Sequence, residues 1–156
     1  MTGDGFPATE RRGGDVTDTA PPSLLYSVKQ VELATRARLD ELLRPSGVTA
    51  LQYTALTVLE RRDGMSSAEL ARNSFVTPQS MSDLVGALER RGLITRSPDP
   101  ASRRRHIISL TDEGRALLAL HAPAVQHLED AMLAGFTARE RTAFRDFLNR
   151  ARAALG

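Results

Sequence analysis

From Ser23 onward the apolar positions recur at a helical period, and the interruptions cut the chain into helices. Leu24, Val28, Val31, Leu39 and Leu42 predict a long first helix behind a capping serine, and "RPSGV" breaks it. A second helix is expected from Thr49, with Leu51, Ala55, Val58 and Leu59 inward, as far as "DGM". Ser66 and Glu69 have the spacing of a capping box and open a short third helix. Thr77 can cap a fourth, in which Pro78 takes the first helical position at no cost in hydrogen bonds. Met81, Leu84, Val85 and Leu88 then form one buried stripe, and Gly92 stops the helix.

The period changes after Gly92. "LITRS" and "RHIISL" are β-branched runs on either side of the turn-forming "PDPAS", which predicts a two-stranded hairpin whose return strand opens at Arg105 and His106. Thr111 begins a fifth helix with Asp112 and Glu113 near the positive end of its dipole, and Pro123 is expected to kink it. A second capping box, Thr137 with Glu140, opens a sixth helix that carries Phe144, Phe147, Leu148, Ala151 and Leu155 on one face. Residues 1–22 show neither period and are rich in Gly, Thr, Asp and Pro, so a disordered tail is expected there. The 156 residues otherwise suit one domain with its own core.

Composition removes several chemistries. The chain has no cysteine, hence no disulfide, thiolate metal site or thiol nucleophile. No stretch approaches the roughly 18 apolar residues of a membrane span, and the N-terminus lacks a signal-peptide core, so a cytoplasmic location without membrane contact is expected. No Gly-rich phosphate loop and no nucleophile, base and acid constellation is visible. The expectation is a protein that is not an enzyme, with no catalytic residues and no cofactor. His121 and His127, six positions apart, do not share a helical face, and with His106 on the hairpin they read as surface or interface residues and not as a metal site.

Charge is unevenly placed. The net charge is +2, yet residues 1–22 carry four acids against two arginines. Arg90, Arg91, Arg96, Arg103, Arg104 and Arg105 cluster within sixteen positions against Asp99 alone. Such a patch is the footprint of polyanion binding, or else a solvated charge run. Context favours the first, because a basic hairpin directly after a helix-turn-helix is a wing.

The order of two helices, helix-turn-helix, wing and two closing helices resembles the MarR (multiple antibiotic resistance regulator) family over residues 23–155. The resemblance is carried by "SSAELA", by "VTPQSMSDLVGALERRGLI" and above all by "DPASRRRHIISLTDEGR". Asp99, Pro100, Arg103, Arg104, Leu110, Thr111 and Gly114 match the family's wing and its exit, whereas Ser102 stands where an acid often orients an arginine. The implied fold is mainly α with a small β-hairpin: a winged helix-turn-helix core of about 49–110 between dimerisation helices of about 23–44 and 111–155. The implied function is a homodimeric, sequence-specific transcriptional regulator, a repressor, on palindromic double-stranded DNA, released by a small effector, often aromatic in such proteins. The first, fifth and sixth helices would pair two chains, through Leu24, Val28, Phe144, Phe147, Leu148 and Ala151.

An α-helix fits the major groove with the side chains of its first turns at base edges, so Thr77, Gln79, Ser80, Ser82 and Asp83 are candidates. Ser66 at the third helix joins the DNA-facing set. Gln79 leads, since its amide can pair bidentately with adenine. Asp83 could accept from cytosine N4 or merely solvate the helix. Phosphate attraction falls to Arg90 and Arg91 and to the wing, where Arg103, then Arg104, suits an adjacent minor groove; one of these two could instead pair with Asp99 to stiffen the turn. Tyr26, Gln30 and Tyr53 lie on the helices that bound the family's ligand cavity and combine rings with polar groups, as an aromatic effector would need; core packing explains them nearly as well. Two rival readings remain: a non-specific architectural DNA binder, and a winged-helix module that contacts protein.

Overall fold

The computed structural model describes residues 20–156. The tail expected over 1–22 therefore lies, up to residue 19, outside the described residues. Six α-helices and a three-stranded antiparallel sheet follow in the order α1 (Leu24–Leu43), α2 (Ala50–Arg61), β1 (Met65–Ser66), α3 (Ser67–Ser74), α4 (Pro78–Arg90), β2 (Ile94–Asp99), β3 (Ser102–Leu110), α5 (Asp112–Met132) and α6 (Ala138–Ala154). A single 3-10 turn, Arg44–Ser46, joins α1 to α2. Among the described residues no helix is long and apolar enough to cross a membrane.

Helix starts follow the cap residues. Ser23, Ser66, Thr77, Thr111 and Thr137 each accept from the backbone N–H three positions on, and Ser66 with Glu69 and Thr137 with Glu140 close full capping boxes. Backbone and hydroxyl donors at the cap hold the Glu69 and Glu140 carboxyls below the usual glutamate range. Thr49 and Gln52 form a third box that the apolar pattern did not disclose. Pro123 sits inside α5, which runs on through it to Met132.

The core lies between α2, α3, α4 and the sheet, under the C-terminal half of α1 and the first half of α5. Leu43, Leu56, Leu59, Leu70, Met81 and Leu88 are fully buried in it. Ile94 and Ile108 close it from the sheet side. Leu51, expected inward, is instead 38% exposed, because it faces a cleft between α1 and α2. The stripe expected along α1 also divides: Leu39 and Leu42 pack on the core, while Leu24, Val28 and Val31 remain exposed.

Two features of the sheet differ from expectation. The hairpin gains a third strand, β1, whose Met65 and Ser66 pair with Ile108 and Ile107 of β3. Two residues are too few for any alternation to register in sequence. The return strand also begins at Ser102, three residues before Arg105.

The wing exit explains the family's glycine. Thr111 donates its hydroxyl to the Gly92 carbonyl at 2.7 Å and accepts from Gly114 N–H at 3.0 Å, which draws the first turn of α5 against the start of β2. A Cβ on Gly114 would stand 2.3 Å from the Leu93 carbonyl oxygen and 2.8 Å from a Leu110 methyl. Only glycine permits that approach.

Candidate nucleic-acid interface

The amphipathic division of α4 sets the site. Met81, Leu84, Val85 and Leu88 anchor the helix in the core, so Gln79, Ser82 and Asp83, at i, i+3 and i+4, share its exposed side. Thr77 caps the helix, donates its hydroxyl to Ser80 Oγ at 3.0 Å, and so occupies two candidate groups locally. The Gln79 side chain is exposed and makes no hydrogen bond among the described residues.

Packing sorts the six arginines of the basic cluster. Arg96 on β2 binds one carboxylate oxygen of Glu89 on α4 through Nε at 2.8 Å and an η nitrogen at 2.5 Å, tying the wing to α4. The same contact holds the Glu89 carboxyl below its usual range and raises the guanidinium. Arg105 binds the buried Asp99 carboxylate at 2.5 Å. Arg91 turns back onto the α1–α2 connection, donating to the carbonyls of Gly47 at 2.6 Å and Ser46 at 2.5 Å. Arg90, Arg103 and Arg104 are exposed and carry no ion pair among the described residues.

The backbone accounts for the wing's presentation. Register steps from Pro98 opposite His106 to Asp99 opposite Ser102, so Arg103, Arg104 and Arg105 bulge from β3 without facing partners. Asp99 secures that bulge. It accepts from Ala101 N–H at 2.8 Å, and this bond first, then the Arg105 guanidinium, keeps its carboxyl ionised to lower pH than an ordinary aspartate. The turn-stiffening role weighed for Arg103 or Arg104 thus belongs to Arg105, since the bulge brings that side chain back over the turn.

Two other candidates are occupied by the fold. Ser66 is 8% exposed, with its hydroxyl donated to Glu69 at 2.8 Å, so it orders the start of α3 and offers little to a ligand. Arg91 spends its guanidinium on carbonyls of its own chain. The Ser66 bond follows from the capping-box spacing, whereas the Arg91 bonds, reaching 44 and 45 positions back along the chain, leave no local signal.

The architecture and site have clear counterparts. Residues 46–105 match the model of the MarR family. The HTH-type transcriptional repressor Mb2911 of Mycobacterium bovis is 37% identical over 136 residues, 86% of this chain and 96% of that protein. The chain belongs to the MarR family. Among solved structures, a MarR-family transcriptional regulator from Silicibacter pomeroyi superposes with a TM-score of 0.77 at 26% identity, covering 85% of this chain and 89% of that one. The S. aureus MepR–DNA complex has the same fold, with a TM-score of 0.76 at 22% identity over 86% of this chain and 99% of its own. This is accordingly a transcriptional regulator with a DNA-binding winged helix-turn-helix.

Outside the core, α6 and the start of α1 are poorly covered. No residue of α6 is buried, and Leu24, Val28, Phe147 and Leu148 are 85, 55, 59 and 44% exposed. Phe144 is half-buried against Phe136, with ring centroids 5.5 Å apart, and Ala151 is exposed. The three ligand candidates do not converge within one chain. Tyr26 and Gln30 bond to each other at 3.0 Å on the outer part of α1, whereas Tyr53 is buried edge-on to His121 in the lobe. His121, read from sequence as a surface or interface residue, is 8% exposed because it fills the seam between α5 and the α1–α2 turn.

Proposed function

We propose that the protein is a homodimeric repressor that reads an inverted-repeat operator, with α4 in the major groove and the bulged wing at the adjacent minor groove. The observation that carries this reading is the sorting of the arginines: three are spent on holding wing and helix in place, which leaves Arg90 at the end of α4 and Arg103 and Arg104 at the wing tip without ion pairs among the described residues, while α4 also carries an exposed, uncommitted Gln79. Residues of about 49–110 form the DNA-reading unit, and residues of about 23–44 and 111–155 pair it with a second copy, which would cover Leu24, Val28, Phe147, Leu148 and Ala151. A two-fold dimer presents the same helix twice, hence a palindromic site with half-sites about 34 Å apart.

Release by a small aromatic acid is the second half of the proposal. A cleft of about 390 Å³ between α1, α2 and the end of α3 is lined by Arg36, Leu39, Leu51, Thr54, Ser74 and Phe75. Ser74 Oγ is buried beside it with no hydrogen-bond partner among the described residues, a cost that a polar ligand atom would relieve. Phe75, at a left-handed φ of 58° and 73% exposed, offers its ring at the rim. A ligand that prefers another lobe separation lowers DNA affinity by the factor that DNA takes from its own.

Gln79→Ala tests the base-reading role. It is expected to cost about 1 to 3 kcal/mol on a duplex enriched from a random library by the wild-type protein, while leaving random DNA unaffected. Anisotropy titrations on both duplexes measure this, and equal losses on the two would refute it.

A further inference from the structure

The α1–α2 turn is a junction where three parts of the molecule meet. Arg91, the residue that caps the C-terminal end of α4, donates to the carbonyls of Ser46 and Gly47. Ser46 Oγ in turn lies 2.6 Å from Nε2 of the buried His121 on α5. Gly47 sustains the turn at a left-handed φ of 63°, with the Arg91 guanidinium stacked 3.7 Å from where a Cβ would stand. Asp40 of α1 accepts from Ala50 N–H at 2.6 Å and fixes the same corner from the other side. The end of the recognition helix is thereby bonded, through one turn, to both long helices outside the lobe.

We propose that Arg91 is a positioning residue for DNA recognition: through Ser46 and His121 it sets the angle of α4 against α1 and α5, and it does not touch phosphate. The idea rests on the sequence-specific reading above. A guanidinium bound to two carbonyls has its fork directed away from any ligand, and its two charge-assisted bonds are among the stronger polar contacts available to the lobe. A helix aimed by this latch meets base edges in register in both half-sites; without it the lobe keeps its charge but loses its angle.

The test compares wild type, Arg91→Ala, Arg91→Lys and Ser46→Ala on the enriched duplex and on random DNA across a salt series. For Arg91→Ala a loss of about tenfold is expected on the enriched duplex, as suits two lost hydrogen bonds, with random-DNA affinity and the salt slope unchanged. Ser46→Ala, which breaks only the bond to His121, is expected to lose about threefold in the same selective way. Arg91→Lys keeps the charge without the planar fork, so it too should lose affinity, and it serves if the alanine variant does not fold. A slope reduced by about 0.9 with equal losses on both duplexes for Arg91→Ala would make the residue a phosphate contact and overturn the proposal. Wild-type affinity in Arg91→Lys would do the same. If no sequence is enriched at all, specific readout fails and the latch falls with it, an outcome distinct from either.

Discussion

Replacing Phe147 and Leu148 together with aspartate is expected to yield a monomer whose affinity for the enriched duplex is lower by about 10² to 10⁴-fold, the largest effect any pair of substitutions here should produce. Both side chains project from α6, and no residue of that helix is buried within the chain. Their apolar surface has no use in an isolated protomer, and burying two carboxylates there without partners would prevent association. Because α6 contributes nothing to the buried core, the lobe itself should stay folded. The affinity loss then comes from avidity: one lobe alone must bind each half-site without the effective concentration its tethered partner supplies. Sedimentation at micromolar concentration and anisotropy on the same samples measure the two halves. A dimer that persists would contradict the assignment of this face, and a monomer with unchanged affinity would contradict the two-fold reading.

The wing gives the second large effect. Arg103→Ala with Arg104→Ala is expected to weaken the enriched and the random duplex alike, by about 10 to 100-fold at moderate salt, and to lower the slope of log K against log salt by up to about 1.8, or 0.9 for each neutralised phosphate. The bulge directs these two guanidinium groups outward, while Asp99 and Glu89 neutralise Arg105 and Arg96 at short range. Loss confined to the enriched duplex, with the slope intact, would mean that the wing reads shape or bases and supplies little of the general attraction.

Local rules made much of the fold legible. Caps at Ser66, Thr77, Thr111 and Thr137 depend on groups three residues apart, so each helix start could be read from spacing. The buried stripe of α4 was equally plain, since Met81, Leu84, Val85 and Leu88 face one core. What escaped was set by side-chain contacts that no helical or strand period encodes. Nothing within the chain's periodicity tells Arg96 to seek Glu89, or a bulge to hand Asp99 to Arg105 in place of its neighbours. The burial of His121 within its own chain was not legible because its partner, Ser46, lies 75 positions away. The same blindness explains Leu24 and Val28: their helical spacing signals a buried face, yet the chain's own core leaves both exposed.

Selection of duplex DNA from a random library by the purified protein, followed by sequencing of the enriched pool, tests the central claim most directly. An inverted repeat with half-site centres about one helical turn apart, bound by two chains per duplex, is the expected result. A pool that remains random, or one that converges on a single unrepeated site bound by one chain, would contradict it.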